Sequence, residues 1–342
     1  MKFGIFDHMD SNGATLGKQF AERLALIEAY DRLGFYAYHL AEHHGTPLGL
    51  APSPGIFMAA VAQRTSRLRF GPLVYTLPLY HPVRLIEEIC MLDQMSDGRF
   101  ELGVGRGVSP IEVGFYGVDA EAGPRQFPEA LRLIKQGLTS DELTFEGEFY
   151  RFERVPMLLE PVQKPHPPLW YGVGTPKATY WAAFEGANAV TLGSTTASHA
   201  VVEAYQAAWA GFGRSLEALP LLGIQRLVVL APSEAAAVRS AERAYRVWLR
   251  HMRWLWDRRG VPFTLPLPAE IGSWLDAGGA FAGTPSGFRK FVADQVAATG
   301  ASYFVCDLAF GDLSYDFGDL SYDESAQTTE LVGREVLPSF AV

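Results

Sequence analysis

The chain has 342 residues, of which 48% are hydrophobic and 20% charged, and a formal charge of −9. That balance excludes a disordered chain. The negative charge repels phosphate backbones and anionic lipid, so no nucleic acid and no membrane surface is an expected partner. The length suits two average domains or one large α/β barrel, because barrels run to about 250 residues and grow by insertion. One body spanning residues 1–342 is expected.

The first element is "MKFGIF", whose alternation predicts a strand over residues 2–6. It has no long apolar leader before it, and no run of about 18 apolar residues follows, which makes the cytoplasm the expected location. "QFAERLALIEAYDRLG" places Phe20, Leu24, Ile27 and Leu33 on one helical face and stops at Gly34. Strand-like runs follow over residues 35–40, 68–74, 99–104, 169–173, 189–192, 226–230 and 303–308. The first four strands begin near residues 3, 35, 68 and 99, a spacing that admits one crossover helix per strand and forces parallel neighbours. The expected fold class is therefore α/β, a (β/α)8 TIM barrel; an open doubly wound sheet shares the same alternation.

Insertions are expected after strands 4 and 7. The first holds a helix around residues 128–137 and "LTFEGEFYRFERV", whose alternation around Glu146-Gly147 predicts a hairpin. The second holds a helix beginning near Ser233, with Arg239, Arg243, Arg246, Arg250 and Arg253 as a solvated stripe opposite an apolar one. It continues through the Pro- and Gly-rich residues 259–283, a candidate lid. "GDLSYDF" from Gly311 is repeated at once as "GDLSYDE" from Gly318. Its Gly and Asp content opposes a helix, so the duplication reads as a lengthened loop. Cys90 and Cys306 are too few for a disulfide framework and are expected to be reduced thiols.

In a parallel barrel the functional face lies at the carboxyl ends of the strands. Glu42, His43 and His44, in "LAEHHG", follow the second strand, Arg106 the fourth and Thr175 the fifth. "GVGRGV" is not a dinucleotide fingerprint, since Val108 stands where the third glycine is required. Its glycines instead let a ligand approach beside a guanidinium that offers bidentate donors to phosphate or carboxylate. A surface salt bridge is the alternative for Arg106. In "YGVGTPKATYWAA", Thr175 suits a helix N-cap and Pro176 the first helical position. Free N–H groups there, with the Thr175 and Thr179 hydroxyls, would make a phosphate seat, although capping alone also accounts for Thr175.

These residues resemble the luciferase-like family of flavin-dependent monooxygenases. "MKFGIF", "LAEHHG", "LRFGPLVYTLPLYHPVRLIEEICMLDQMSDGRFELGVGRG" and "GTPKAT" occur in the family's order, and "LDQMSDGR" before the arginine loop is the most specific portion. The resemblance implies FMN bound at the carboxyl mouth, with its phosphate held by Arg106, Gly174, Thr175 and Thr179. It implies a non-proline cis peptide between Leu73 and Val74 against the isoalloxazine ring. His43 matches the active-site histidine, with Glu42 and His44 as its support. The chain departs from luciferase at Gly105, where that enzyme carries a reactive cysteine.

The implied reaction uses reduced FMN and molecular oxygen to oxygenate a small organic substrate through a flavin peroxide. A separate flavin reductase would supply the cofactor, and a homodimer is expected. Three other readings share the residues: hydride transfer with a deazaflavin coenzyme, non-catalytic flavin binding, and a metal-dependent hydrolase using His43, His44 and Asp307. Adjacent histidines lack the separated ligand geometry of zinc barrels, so no metal is expected.

Overall fold

A computed structural model describes residues 1–119, 121–311 and 322–340. Apart from Gly311, the duplicated GDLSYD segment runs beyond the described residues until the final helix begins. The first strands are β1 (Lys2–Asp7), β2 (Ala37–Leu40), β3 (Arg69–Pro72), β4 (Tyr75–Thr76) and β5 (Leu102–Gly105). An antiparallel hairpin, β6 (Glu142–Glu146) and β7 (Arg151–Pro156), stands outside the main sheet. The sheet resumes with β8 (Leu169–Gly172), β9 (Asn188–Leu192), β10 (Leu222–Leu230), β11 (Ala280–Gly283) and β12 (Tyr303–Asp307).

Every pairing in the main sheet is parallel, in the order β3-β2-β1-β12-β10-β9-β8-β5-β4. β3 and β4 are two halves of one kinked strand, so the ring closes through it: β3 pairs with β2 and β4 with β5. Phe70 also bridges Phe100 directly. The expected barrel is therefore closed. β2 and β12 are buried along their whole length, as strands must be when side chains fill the barrel and helices cover it.

The first crossover helix, α1 (Leu16–Leu33), ends where Gly34 adopts the left-handed conformation, φ 88°. α2 (Pro54–Arg64) and α3 (Pro82–Met95) follow the next two strands, and α4 (Pro110–Phe115) and α5 (Gly123–Gly137) follow β5. α6 (Thr179–Glu185) and α7 (Thr195–Gly211) cover β8 and β9. α8 (Glu234–Arg259) is capped by the Ser233 hydroxyl and buries Ala241, Tyr245, Trp248 and Met252. Its arginines take surface partners, Arg243 with Glu324 and Arg253 with Asp257. Both cysteines are free and buried.

Two expectations need correction. The seventh strand begins at Leu222 rather than residue 226, because Gly223, Gln225 and Arg226 interrupt its apolar run while remaining paired with β9 and β12. The candidate lid over residues 259–283 is in part structural. α9 (Ile271–Asp276) buries Ile271 and Trp274, and β11 pairs with the distal half of β10. The Gly-rich sequence follows from that packing, since a Cβ at Gly279 would press into the Trp274 indole.

Candidate active site

β2 ends at Leu40, where Asp7 O accepts from Ala41 N and Leu40 O accepts from Leu73 N. The chain then leaves the sheet, and successive side chains point apart. Glu42 accepts from Thr76 N at 2.8 Å through Oε2, and its Oε1 meets His44 Nε2 at 2.8 Å. His44 is buried, with Nδ1 2.7 Å from the Tyr116 hydroxyl. His43 faces the other way, its Nδ1 lying 3.2 and 3.3 Å from the two carboxylate oxygens of Glu112. Glu112 Oε2 also accepts from His44 N at 2.7 Å. The two adjacent histidines thus have separate carboxylate partners.

Glu112 was not singled out from the sequence, although a signal existed. Ser109-x-x-Glu112 has capping-box spacing, and Ser109 Oγ does accept from Glu112 N. The carboxylate, instead of turning back to the helix start, reaches His43. Burial would pull the His43 imidazole down, but the Glu112 hydrogen bond and charge, with Asp10 and Glu42, hold its pKa above the ordinary value. For Glu112 burial acts upward, and His43 more than offsets it, keeping the carboxyl below its usual range. His8 stacks on His43 with ring centroids 5.8 Å apart. Burial, opposed by Asp10, takes His8 down to about 4, so the stacked ring is neutral when His43 is charged.

These groups edge a cavity of about 510 Å³ at the carboxyl ends of the strands, a volume suited to a small molecule or cofactor. One wall is Leu73, Val74, Val104 and Gly105, and the peptide between Leu73 and Val74 is cis. A Cβ at Gly105 would collide with Val74, which leaves no room there for cysteine. Arg106, Gly174 and Thr175 also line the cavity. Arg106 is exposed and makes no ion pair among the described residues. At Gly172 and Gly174 an added Cβ would meet nothing within 4 Å, so the backbone is open toward the space.

The helix expected from Pro176 starts later. A 3₁₀ turn covers Pro176–Ala178, and α6 begins at Thr179. The Thr175 hydroxyl makes no cap and stays available. Thr179 is buried, donates to Pro176 O at 2.6 Å and is not part of the cavity wall. Of the four residues expected to hold a phosphate, Arg106, Gly174 and Thr175 line the cavity and Thr179 does not. Among the described residues no three His, Cys, Asp or Glu side chains are arranged to hold a metal ion. Asp307 lies 3.6 Å from His8, on the far side of His43 from Glu112.

A closed parallel barrel with an ion-paired imidazole and an exposed guanidinium at its carboxyl mouth has the make-up of an enzyme site. The model of the luciferase-like monooxygenase family matches residues 1–298, and the chain belongs to that family of oxidoreductases. It is 41% identical over 319 residues, 92% of each chain, to the uncharacterized protein y4wF of Sinorhizobium fredii. The oxygenase component of flavin-dependent trigonelline monooxygenase from Acinetobacter baylyi is 31% identical over 192 residues, 55% of this chain and 53% of that protein.

Among solved structures, monooxygenase RslO1 from Streptomyces bottropensis superposes with a TM-score of 0.85 at 26% identity over all of both chains. The oxygenating constituent of 3,6-diketocamphane monooxygenase from Pseudomonas putida, in complex with FMN, gives 0.81 at 20% identity, covering 99% and 98% of the two chains. The coenzyme F420-dependent tetrahydromethanopterin reductase of Methanopyrus kandleri gives 0.72 at 18% identity over 99% of each. The last two likenesses concern the fold.

Proposed function

We propose that the chain is the oxygenase component of a two-component system, a single barrel domain that uses reduced FMN and molecular oxygen to oxygenate a small organic substrate. The observation that carries this reading is one cavity lined both by Arg106, without an ion pair among the described residues, and Thr175, and by His43 of the His43–Glu112 dyad. When bound, reduced FMN would supply the electrons that activate oxygen. Arg106, Thr175 and the Gly174 N–H would grip its phosphate with charge-assisted hydrogen bonds. Leu73, Val74 and Val104 would meet the apolar part of the ring and exclude water. The Glu112 contact occupies Nδ1 of His43 and leaves Nε2 to hold or give a proton at the cavity. Glu42 braces the site by fixing Thr76 and His44.

A separate reductase would deliver the flavin. No helix among the described residues is long and apolar enough to cross a membrane, which accords with a cytoplasmic enzyme. The homodimer reading has a surface to support it. Ile56 on α2, Met91 and Met95 on α3, and Leu158, Leu159 and Val162 are exposed apolar residues on adjoining segments. Cys90 Sγ to Leu159 O and Gln94 Nε2 to Glu160 O join the last segment to α3. A Met91→Asp variant should shift the sedimentation coefficient from dimer to monomer; a wild-type chain that sediments as a monomer defeats this part.

The cofactor test is fluorescence titration with oxidised and reduced FMN, followed by rapid mixing of the reduced complex with oxygen. Saturable FMN binding and fast oxygen consumption are expected. Tight binding and hydride transfer with a deazaflavin instead, with no oxygen uptake, would replace this reading with the dehydrogenase one.

A further inference from the structure

Beyond the His43–Glu112 dyad, one chain of hydrogen bonds runs from the protein surface to the cavity. Its outer end is Tyr116, 54% exposed at the end of α4. The hydroxyl lies 2.7 Å from His44 Nδ1, and the tyrosine ring sits edge-on to the imidazole. The other ring nitrogen, Nε2, lies 2.8 Å from Glu42 Oε1. Glu42 is itself part of the cavity wall, while His44 between the two ends is buried. An imidazole bonded on opposite sides can accept a proton at one nitrogen while releasing one from the other.

We propose that Tyr116, His44 and Glu42 form a path that carries protons between solvent and the cavity once bound flavin and substrate exclude water from it. The proposal rests on the monooxygenase reading for its need of protons, though not for its geometry. Oxygenation by the reduced flavin anion balances as substrate, oxygen, reduced flavin anion and one proton giving oxygenated substrate, oxidised flavin and water. A cavity closed to water must receive that proton through the protein.

In the resting arrangement the Tyr116 O–H donates to Nδ1 and the Nε2–H donates to Glu42. Inward transfer breaks the Tyr116 O–H and forms Nδ1–H, while the Nε2–H breaks and an O–H forms on Glu42 Oε1. Tyr116 regains its proton from water, and Glu42 releases its own into the cavity. Return of the imidazole to its first tautomer resets the path.

The surroundings suit this direction. Burial, then the Glu42 and Glu112 charges, keep the Tyr116 hydroxyl above its ordinary pKa, so it is a donor at neutral pH. Thr76 N holds Glu42 Oε2, and Tyr80 lies near enough that burial and then the Glu42 charge raise its pKa. Glu112 Oε2 pins the His44 backbone, not its ring, and His43 faces away toward Glu112. The imidazole of His44 therefore has Tyr116 and Glu42 as its hydrogen-bonding partners.

Tyr116→Phe tests the path, because it retains the ring against His44 and removes only the hydroxyl. The first measurement needs no flavin. In the full-length protein labelled with ¹⁵N-histidine, exchange of the His44 Nε2 proton with solvent should slow by about tenfold or more in the variant. The second is turnover at saturating FMN, where kcat should fall with little change in KM and the solvent deuterium isotope effect should rise. Tyr116→His should restore part of both. Unchanged proton exchange in Tyr116→Phe overturns the path whatever the cofactor proves to be. Slowed exchange without FMN binding would leave the path standing and reject the monooxygenase reading.

Discussion

At the base of the barrel Glu101 is fully buried and bonds Arg69 Nε and Trp170 Nε1, while Arg69 also donates to Gln163 Oε1 at 2.7 Å and to Gly98 O at 3.2 Å. At the mouth Glu112 is equally enclosed, yet the partner it charges, His43, keeps its second ring nitrogen beside a cavity. Arg69 directs its donors to the protein; Arg106 makes no ion pair among the described residues. Both ends thus place a carboxylate and a base in a low-dielectric setting, and the difference is whether the pair closes on itself. A closed pair fixes the strands in their ring, whereas an open pair keeps donors and acceptors ready for something absent from the chain.

The largest effect expected from breaking this contrast is at the open end. His43→Ala should reduce turnover about 10²- to 10⁴-fold, the usual contribution of a placed acid or base, with FMN affinity nearly kept. Steady-state rates beside a fluorescence titration measure both; unaltered turnover would remove His43 from the chemistry. The closed end should answer in stability. Glu101→Ala strips a buried partner from Arg69 and Trp170 and should cost about 3 to 5 kcal/mol in urea unfolding. Its FMN affinity, measured well below the transition, should stay within about twofold of the wild type.

Arg106→Ala is expected to have a smaller effect of a different kind. Loss of a charge-assisted hydrogen bond to phosphate costs about 1.5 to 3 kcal/mol, which corresponds to about 10- to 150-fold weaker FMN binding. Riboflavin, which lacks the phosphate, should bind the variant and the wild type alike. A variant that weakens both ligands equally would mean that Arg106 shapes the loop and does not grip the anion.

The same contrast explains what could be read from residues alone. Most barrel strands were legible as short apolar runs, as β2 and β12 are when buried on both faces, whereas β1 showed by alternation and β10 only from residue 226. β11 was not legible, since it is a short AFAG segment entered through Gly279, which fits against Trp274 by its small size, a property that no period reveals. At the site, Arg106, Thr175 and His43 stood out because each is a functional group next to glycine, proline or another polar residue at a strand end. Glu112 and Tyr116 did not. They lie 69 and 72 residues from the histidines they touch, and only barrel closure joins β2 to the segment after β5. Thr179 is the reverse case: its place near a helix start suggests an open hydroxyl, but after the 3₁₀ turn over Pro176–Ala178 that hydroxyl bonds Pro176 O.

Glu112→Gln is the finest test, because it keeps the shape and hydrogen bond of the dyad and removes its charge. In the wild type the His43 contribution to stability is fully present below the ordinary imidazole pKa and is lost as pH rises through the raised folded value. The Glu112 contribution is present above the ordinary carboxyl value and is lost as pH falls through its lowered one. Together they define a window centred at about pH 5 to 6, in which both charges exist in the folded and the unfolded chain. Within it the variant should be less stable by about 1 kcal/mol, the difference between a charged and a neutral hydrogen bond, with the gap narrowing on both sides. Histidine NMR should show the His43 pKa fall, because burial then meets only the weaker pull of Asp10 and Glu42. A His43 titration unmoved by the substitution would mean that the mouth, like the base, is a closed structural pair and that its charge is not set by Glu112.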